Sequence, residues 1–316
     1  SPLKNKFFLV LALAFHYLCL TKQHIRDQSM TDRKLTLNIR GRLMDLSTPR
    51  VMGILNVTPD SFYAGSRTPG AEAVAARVRQ IRDEGADFID IGAYSSRPGA
   101  ADVPAAEEME RLRLGLSVIA REAPEMPVSV DTFRADVARM CVEEYGVAVV
   151  NDIAGGQLDA AMFDTVARLG VPYVLMHMQG TPQTMQREPH YDDVVAEVFQ
   201  ALARGAQRLH AMGVADVILD PGFGFGKTVA HNFDLLAHLD ELAALGLPVL
   251  VGVSRKSMIW RLVGGGPDDA LNGTTAVHTI ALMKGASILR VHDVKAAVEA
   301  VRIVGALPTS KPYGHD

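Results

Sequence analysis

Residues 128–152 read VSVDTFRADVARMCVEEYGVAVVND, and the reading of the chain starts from them. Val128–Val130 and Val147–Val150 are short apolar runs of strand length, and residues 134–144 between them carry helical spacing. Neither run alternates apolar with polar, which suits parallel strands covered on both faces. Each run ends in polar residues: Asp131 after the first, Asn151 and Asp152 after the second. Two such strands joined by a helix form one βαβ unit.

The same unit recurs in both directions along the chain. Strand-like runs fall at Val51–Leu55, Phe88–Ile91, Val171–Met176, Val217–Leu219, Val249–Val253 and Ser287–Val291, giving eight in all with the two above. Helical stretches separate them at 71–84, 105–121, 160–169, 192–212, 232–245 and 268–284, and 294–304 follows the last run. The first helix puts Val74, Val78 and Ile81 on one face and stops at Gly85. Upstream, Leu35–Ile39 and Arg42–Leu46 flank Arg40-Gly41 and read as a small hairpin. Eight alternations without a shift in composition predict an α/β protein, a (β/α)8 TIM barrel with an N-terminal β-hairpin. A doubly wound sheet is the structural rival, but usually has fewer strands.

Composition narrows the function. The 316 residues are 48% hydrophobic and 22% charged, ordinary globular usage that excludes a disordered or fibrous chain. A net charge of −4 argues against nucleic acid as a partner, since that needs a concentrated basic face. Cys19 and Cys141 lie far apart and form no CxxC pattern, so neither a disulfide framework nor a thiolate metal site is expected. These features predict a soluble, cytoplasmic protein with no membrane partner.

Residues 1–29 stand apart. Lys4-Asn5-Lys6 precedes an apolar run from Phe7 to Leu20, a pattern resembling a signal peptide. The run is short for a membrane span, and no small-residue cleavage site follows it. Met30 reads as the start of the native fold, which makes 1–29 an extension and 30–316 a single barrel domain; an export signal or tether is the alternative.

All eight strand-like runs end in polar residues, and in a barrel those ends share one rim, where active sites sit. Polar residues also cap strands and helices for structural reasons, but eight of eight points to an enzyme or a dedicated small-ligand binder. Asp131, Asn151, Asp220 and Lys256 can read a flat, nitrogen-rich heterocycle, because carboxylates accept from amino and ring N–H groups while an amide does both. Asn56, Arg97, Arg290 and His292 suit phosphate oxygens. The glycine-rich segment Asp220 to Thr228 fails the P-loop spacing by one residue, since three residues and not four separate Gly222 from Gly226. Its glycines suit a close backbone turn beneath a ligand, with Phe225 as one wall. His177 has no second ligand at a metal spacing and reads as an oriented core residue, with Met178 lining the ring site.

Eight ordered segments carry a resemblance. Asn56 to Phe62 (NVTPDSF), Ser95 to Gly99 (SSRPG), Ser129 to Thr132 (SVDT) and Val150 to Asp152 (VND) are similar to dihydropteroate synthases. So are His177 to Pro182 (HMQGTP), Asp220 to Lys227 (DPGFGFGK), Ser254 to Ser257 (SRKS) and Arg290 to Asp293 (RVHD). The resemblance runs from about residue 42 to the end of the barrel.

That resemblance implies a transferase of folate biosynthesis, joining 4-aminobenzoate to a dihydropterin methyl diphosphate with release of pyrophosphate. It implies a dissociative path, in which diphosphate leaves first and the aniline nitrogen then attacks a pterin-stabilised cation. Asp131, Asn151, Asp220 and Lys256 then hold the pterin, with Met178 and Gly252 in the same substrate-lining set. Asn56 binds Mg²⁺ and, with Arg97, Arg290 and His292, holds the diphosphate. Phe62, Ser96, Pro98, Phe225 and Ser254 line the aminobenzoate site, and the catalytic set is Asp131, Lys256, Arg97, Arg290 and His292. A homodimer through outer helices near the C-terminal end is also implied. The chain departs from the family at Tyr94-Ser95-Ser96-Arg97-Pro98, where Glu-Ser-Thr-Arg-Pro is common, and after Phe62 at Tyr63-Ala64-Gly65-Ser66-Arg67. Those departures bear on sensitivity to sulfonamides, which target this family, more than on the reaction. The rival readings are a methyltetrahydrofolate–corrinoid methyltransferase, which has no need of Arg97, Arg290 and His292, and a non-catalytic pterin-binding module.

Overall fold

A computed structural model describes residues 35–57, 69–94, 103–181, 185 and 189–308. The expected extension 1–29 and the boundary at Met30 lie outside the described residues, as do Phe62, Ser96, Arg97 and Pro98. The chain enters through β1 (Thr36–Ile39) and β2 (Arg42–Asp45), an antiparallel hairpin pairing Ile39 with Arg42. Arg40 and Gly41 both have positive φ (52° and 80°), the mirror-image turn whose twist matches two antiparallel strands.

Eight parallel strands follow: β3 (Arg50–Asn56), β4 (Phe88–Gly92), β5 (Val128–Asp131), β6 (Val149–Asp152), β7 (Tyr173–Met176), β8 (Val217–Asp220), β9 (Leu250–Val251) and β10 (Ile288–Val291). Their order is β8-β7-β6-β5-β4-β3-β10-β9. A parallel bridge between Leu219 and Val249 joins β8 to the start of β9, and Leu219 N–H donates to Pro248 O at 2.8 Å. The sheet thus closes into the expected barrel.

The intervening helices are α1 (Pro69–Asp83), α2 (Ala105–Glu122), α3 (Ala135–Tyr145), α4 (Met162–Leu169), α5 (Val194–Ala211), α6 (Val229–Ala237), α7 (Leu239–Ala243), α8 (Ser257–Val263), α9 (Leu271–Met283) and α10 (Val294–Gly305). Three local expectations are corrected. The helix expected over 232–245 is two, broken at His238. The one expected from Asp268 opens as a 3-10 turn at Pro267–Asp269. The apolar run 249–253 contributes only two strand residues, and α8, straight after Lys256, was not foreseen, because seven residues are too short for periodicity to register.

Alternation inside the strands organises two cores. Outward residues such as Val51, Leu55, Ile89, Ile91 and Val130 pack with Val74, Val78 and Ile81 of α1, the face the spacing predicted. Inward residues near the strand starts, among them Met52, Phe88, Val149, Val174, Ile218 and Ile288, form a second cluster with Leu37, Ile39 and Leu46. The hairpin therefore plugs the amino end of the barrel with apolar side chains. Further along the same inward rows stand Asp90, Asp131, Asn151, Asp220 and Arg290, so polarity is concentrated at the carboxyl end. Among the described residues, no helix is long and apolar enough to cross a membrane.

Candidate active site

Strand register brings the first pair of site residues together: Asp131 on β5 sits directly opposite Asn151 on β6. Asp90, two residues before Gly92 on β4, lies one inward layer deeper, because Gly92 is the register partner of Asp131. Arg290 reaches across from β10. Its Nε donates to Asp90 Oδ2 at 2.5 Å and its Nη2 to Asp131 Oδ2 at 2.5 Å. Asn151 Nδ2 donates to the same Asp90 oxygen at 3.1 Å. Two carboxylates thus share one guanidinium in a largely desolvated pocket. Burial pushes Asp131 up to about 7, against the pull of Arg290 and with the push of Asp90. Burial works against the charge on Arg290 too, but Asp90 and Asp131 outweigh it and hold its proton more tightly than usual.

Asp220, at the end of β8, accepts the Gly222 N–H at 2.7 Å. Burial raises its pKa and Lys256 opposes the rise. The backbone after Asp220 turns sharply: Gly222 has φ +70°, and a Cβ there would stand 1.9 Å from the His177 carbonyl oxygen, so no other residue fits. The turn wraps around Lys227, which is 3% exposed. Its ammonium donates to the carbonyls of Gly222 and Phe225, each at 3.0 Å, and to that of His177 at 3.3 Å, and lies 3.1 Å from His177 Nδ1. Lys227 is thus an internal pin, unlike the phosphate lysine of a P-loop. Burial lowers it to about 7 and lowers His177 to about 3, the latter helped by Lys227.

Lys256 enters from the neighbouring strand, just after β9. Arg255 takes a left-handed backbone (φ 56°), rare for a side-chain-bearing residue, and is held there by paired bonds to Asp293, both at 2.8 Å. That kink turns Lys256 inward, where its ammonium donates to Phe223 O and lies 4.5 Å from the centre of the Phe225 ring. Burial lowers it to about 8, against the pull of Asp220. Phe225 and Phe133 flank a small apolar cluster of Ile153, Ala154, Met176, Met178 and Met185, which gives a flat ligand an apolar wall. Gly252 lies beside Arg290, where a Cβ would make ordinary contact with the Arg290 Cβ at 3.9 Å.

His292 and Ser254 form the third group. The Ser254 hydroxyl accepts the His292 backbone N–H at 3.1 Å and lies 3.1 Å from His292 Nδ1. Burial lowers His292 to about 4, and Arg290 adds to this. Arg77, on α1, donates to the carbonyls of His292 (2.6 Å) and Ile54 (3.3 Å), clamping the ends of β10 and β3. Asn56 is exposed at the end of β3. Among the described residues, no three His, Cys, Asp or Glu side chains are grouped so as to hold a metal.

The structure therefore brings Asp131, Asn151, Asp220, Lys256, Phe225, Met178, Gly252, Ser254, Arg290 and His292 to the carboxyl-end rim. Asp90 is a site residue that the sequence reading did not single out. The available signal was a charge inside an otherwise apolar strand, and it marks an inward position. Lys227 and Arg77 left no comparable signal, because a glycine-rich loop and a helix surface both accommodate basic residues without consequence.

The comparisons with known proteins agree with this geometry. Residues 52–292 match the family described as pterin binding enzyme. Dihydropteroate synthase of Escherichia coli K12 is 45% identical over 283 residues, covering 88% of this chain and 98% of the relative. The Xanthomonas albilineans dihydropteroate synthase solved with 4-aminobenzoic acid superposes with a TM-score of 0.77 at 43% identity, over 87% of this chain and 100% of that one. The same enzyme in complex with 7,8-dihydropteroate gives 0.75 at 42% identity, over 86% and 100%. The Yersinia pestis enzyme in a sulfonamide drug complex gives 0.79 at 43% identity, over 86% and 98%. With a family match across most of the barrel and relatives this similar over nearly their whole length, the chain belongs to the pterin-binding enzyme family.

Proposed function

We propose that this protein is a dihydropteroate synthase, a transferase of folate biosynthesis that joins 4-aminobenzoate to (7,8-dihydropterin-6-yl)methyl diphosphate. The observation that carries the reading is the placement of Asp131, Asn151, Asp220 and Lys256 around one apolar-walled mouth with Arg290 and His292 beside them. The carboxylates and the amide match the amino and ring N–H groups of a pterin, and the cationic side matches a diphosphate.

In the reaction, the methylene C–O bond breaks with its electron pair going to the diphosphate. The aniline nitrogen then forms the C–N bond and gives up a proton. Asp131 in its ionised form faces the pterin and stabilises the cation left behind. Arg290 and His292 hold the departing oxygens, with Arg97 completing the set from outside the described residues. His292 acts as a neutral donor, since its pKa of about 4 leaves it uncharged near pH 7. Phe225 and Lys256 border the aminobenzoate side, joined there by Phe62, Ser96, Pro98 and Ser254 in this proposal.

Asn56 suits Mg²⁺ as a lone protein ligand: its side chain is exposed and no hydrogen bond to another described side chain engages it. Mg²⁺ keeps several waters and binds substrate phosphates, so it needs few protein ligands. When bound, it neutralises charge on the leaving diphosphate. Exposed Ile280 and Met283 on α9 and Ile303 on α10 supply apolar surface for the expected homodimer, which light scattering tests by mass. The same reading places the reaction in the cytoplasm.

Incubating the full chain with the dihydropterin diphosphate, 4-aminobenzoate and Mg²⁺ tests the assignment. With both substrates present, pyrophosphate and dihydropteroate are expected in equal amounts, and no dihydropteroate is expected when either substrate is left out. Pterin binding with no release overturns it in favour of a binding module.

A further inference from the structure

Asp90 lies fully buried in β4 (0% exposed), one layer beneath the pair Asp131 and Asn151. A carboxylate so placed is costly unless its partners justify it. Asp152, also fully buried, has partners on both of its oxygens: the Tyr173 hydroxyl at 2.7 Å and the N–H groups of Ala154 and Gly156 at 2.7 and 2.8 Å. Asp90 behaves differently. One oxygen, Oδ2, takes both Arg290 Nε and Asn151 Nδ2, while Oδ1 has no hydrogen-bond partner among the described residues. Both groups it binds belong to the site, and neither is a sequence neighbour.

The consequence for each is directional. An ionised carboxylate only accepts, so the amide group facing Asp90 is the Asn151 NH2, and Asn151 Oδ1 is turned away from it. Arg290 is pinned at Nε by Asp90 and at Nη2 by Asp131, which leaves its Nη1 edge uncommitted among the described residues. We propose that Asp90 is a positioning residue for the transfer reaction: without touching either substrate, it turns the Asn151 oxygen to the pterin and holds Arg290 with one edge open to the diphosphate. This rests on the function proposed above.

Charge supplies the readout. Asp131 faces Arg290 from β10, Asp90 from β4, Glu108 from α2, Asp152 from β6 and Lys256 after β9. Removing the Asp90 charge leaves Arg290 to Asp131 alone and takes away a negative neighbour, so Asp131 gives up its proton at lower pH. A residue that only supported the fold would lower activity at every pH alike.

The test is Asp90→Asn beside the wild type, with pyrophosphate release followed from about pH 5 to pH 9. Binding of a dihydropterin with a hydroxymethyl group in place of the diphosphate is measured in parallel. Expected are a loss of about 100-fold in kcat/KM, about tenfold weaker pterin binding, and an acid limb displaced downward by about one pH unit. An acid limb left in place overturns the proposal, whether activity is unchanged or uniformly reduced. Should Asp90→Asn not fold, Asp90→Ser, which leaves room for water, is read the same way; failure of both assigns Asp90 to the fold and also overturns it. A wild type that binds pterin without turnover refutes the function instead, and the binding comparison then decides the role of Asp90.

Discussion

Ser254 and His292 are joined twice, by the serine hydroxyl accepting the histidine backbone N–H at 3.1 Å and by a 3.1 Å approach of that hydroxyl to Nδ1. With one hydroxyl lone pair taken by the backbone N–H, Ser254 can give its proton to Nδ1, the arrangement that puts the imidazole proton on Nε2 and that the proposed hold on the diphosphate oxygens requires. In that tautomer His292 presents a neutral N–H donor.

Ser254→Ala removes that hydroxyl. We expect ¹⁵N chemical shifts of His292 to change from a predominantly Nε2–H pattern to a mixture, and kcat/KM to fall by about tenfold, equivalent to about 1.4 kcal/mol of transition-state stabilisation. An unchanged tautomer with full activity refutes the assignment.

Asp131→Asn separates stability from activity. The folded-state value of about 7 lies above the ordinary 3.8, so between these values the folded protein holds a proton that the unfolded chain releases. Stability from this group therefore falls as pH rises from about 4 to about 7 and is level above that. The variant is expected to lose activity yet to be more stable than wild type at pH 8 by about 1–2 kcal/mol, with no such gain at pH 4. Urea denaturation at the two pH values measures the difference.

Lys227→Met disturbs the glycine turn from beneath. Three carbonyls, those of His177, Gly222 and Phe225, lose a donor, and Phe225 loses its anchor. KM for 4-aminobenzoate is expected to rise about fivefold while kcat changes little. The native lysine titrates at about 7 when folded and at 10.5 otherwise, so the unfolded chain carries the extra proton between them. Wild-type stability from this group rises with pH across that interval, and the variant is expected to lack the rise in unfolding experiments.

Asn56→Ala addresses the metal. The Mg²⁺ concentration giving half-maximal activity is expected to rise about tenfold, and chelation to abolish turnover in both proteins. Because the side chain is exposed, the unfolding free energy without metal is expected to stay within about 0.5 kcal/mol of wild type. Equal Mg²⁺ dependence in the two proteins removes Asn56 from the metal site.

The architecture was legible in the sequence because each strand is buried on its outer face by helices and near its start by the barrel interior. That environment demands the uninterrupted apolar runs, as in Val147–Val150, and a polar residue is tolerated inside only where the mouth opens. Asp131, Asn151, Asp220 and Arg290 could therefore be placed on one rim from their positions at strand ends alone. Local devices were harder to see. The helix Ser257–Val263 is too short to show a period, and the break at His238 carries neither glycine nor proline.

What the sequence by itself determined is the barrel, the end of it that is polar, and the types of side chain gathered there, since all three follow from periodicity and burial along single strands. Only the tertiary structure decided which partners those side chains have. Arg290 stands 200 residues from Asp90 and 159 from Asp131, and His292 stands 38 from Ser254. The closure of the barrel sets these contacts, and a hydrogen bond depends on distance and angle in space, which a chain read one residue at a time does not contain.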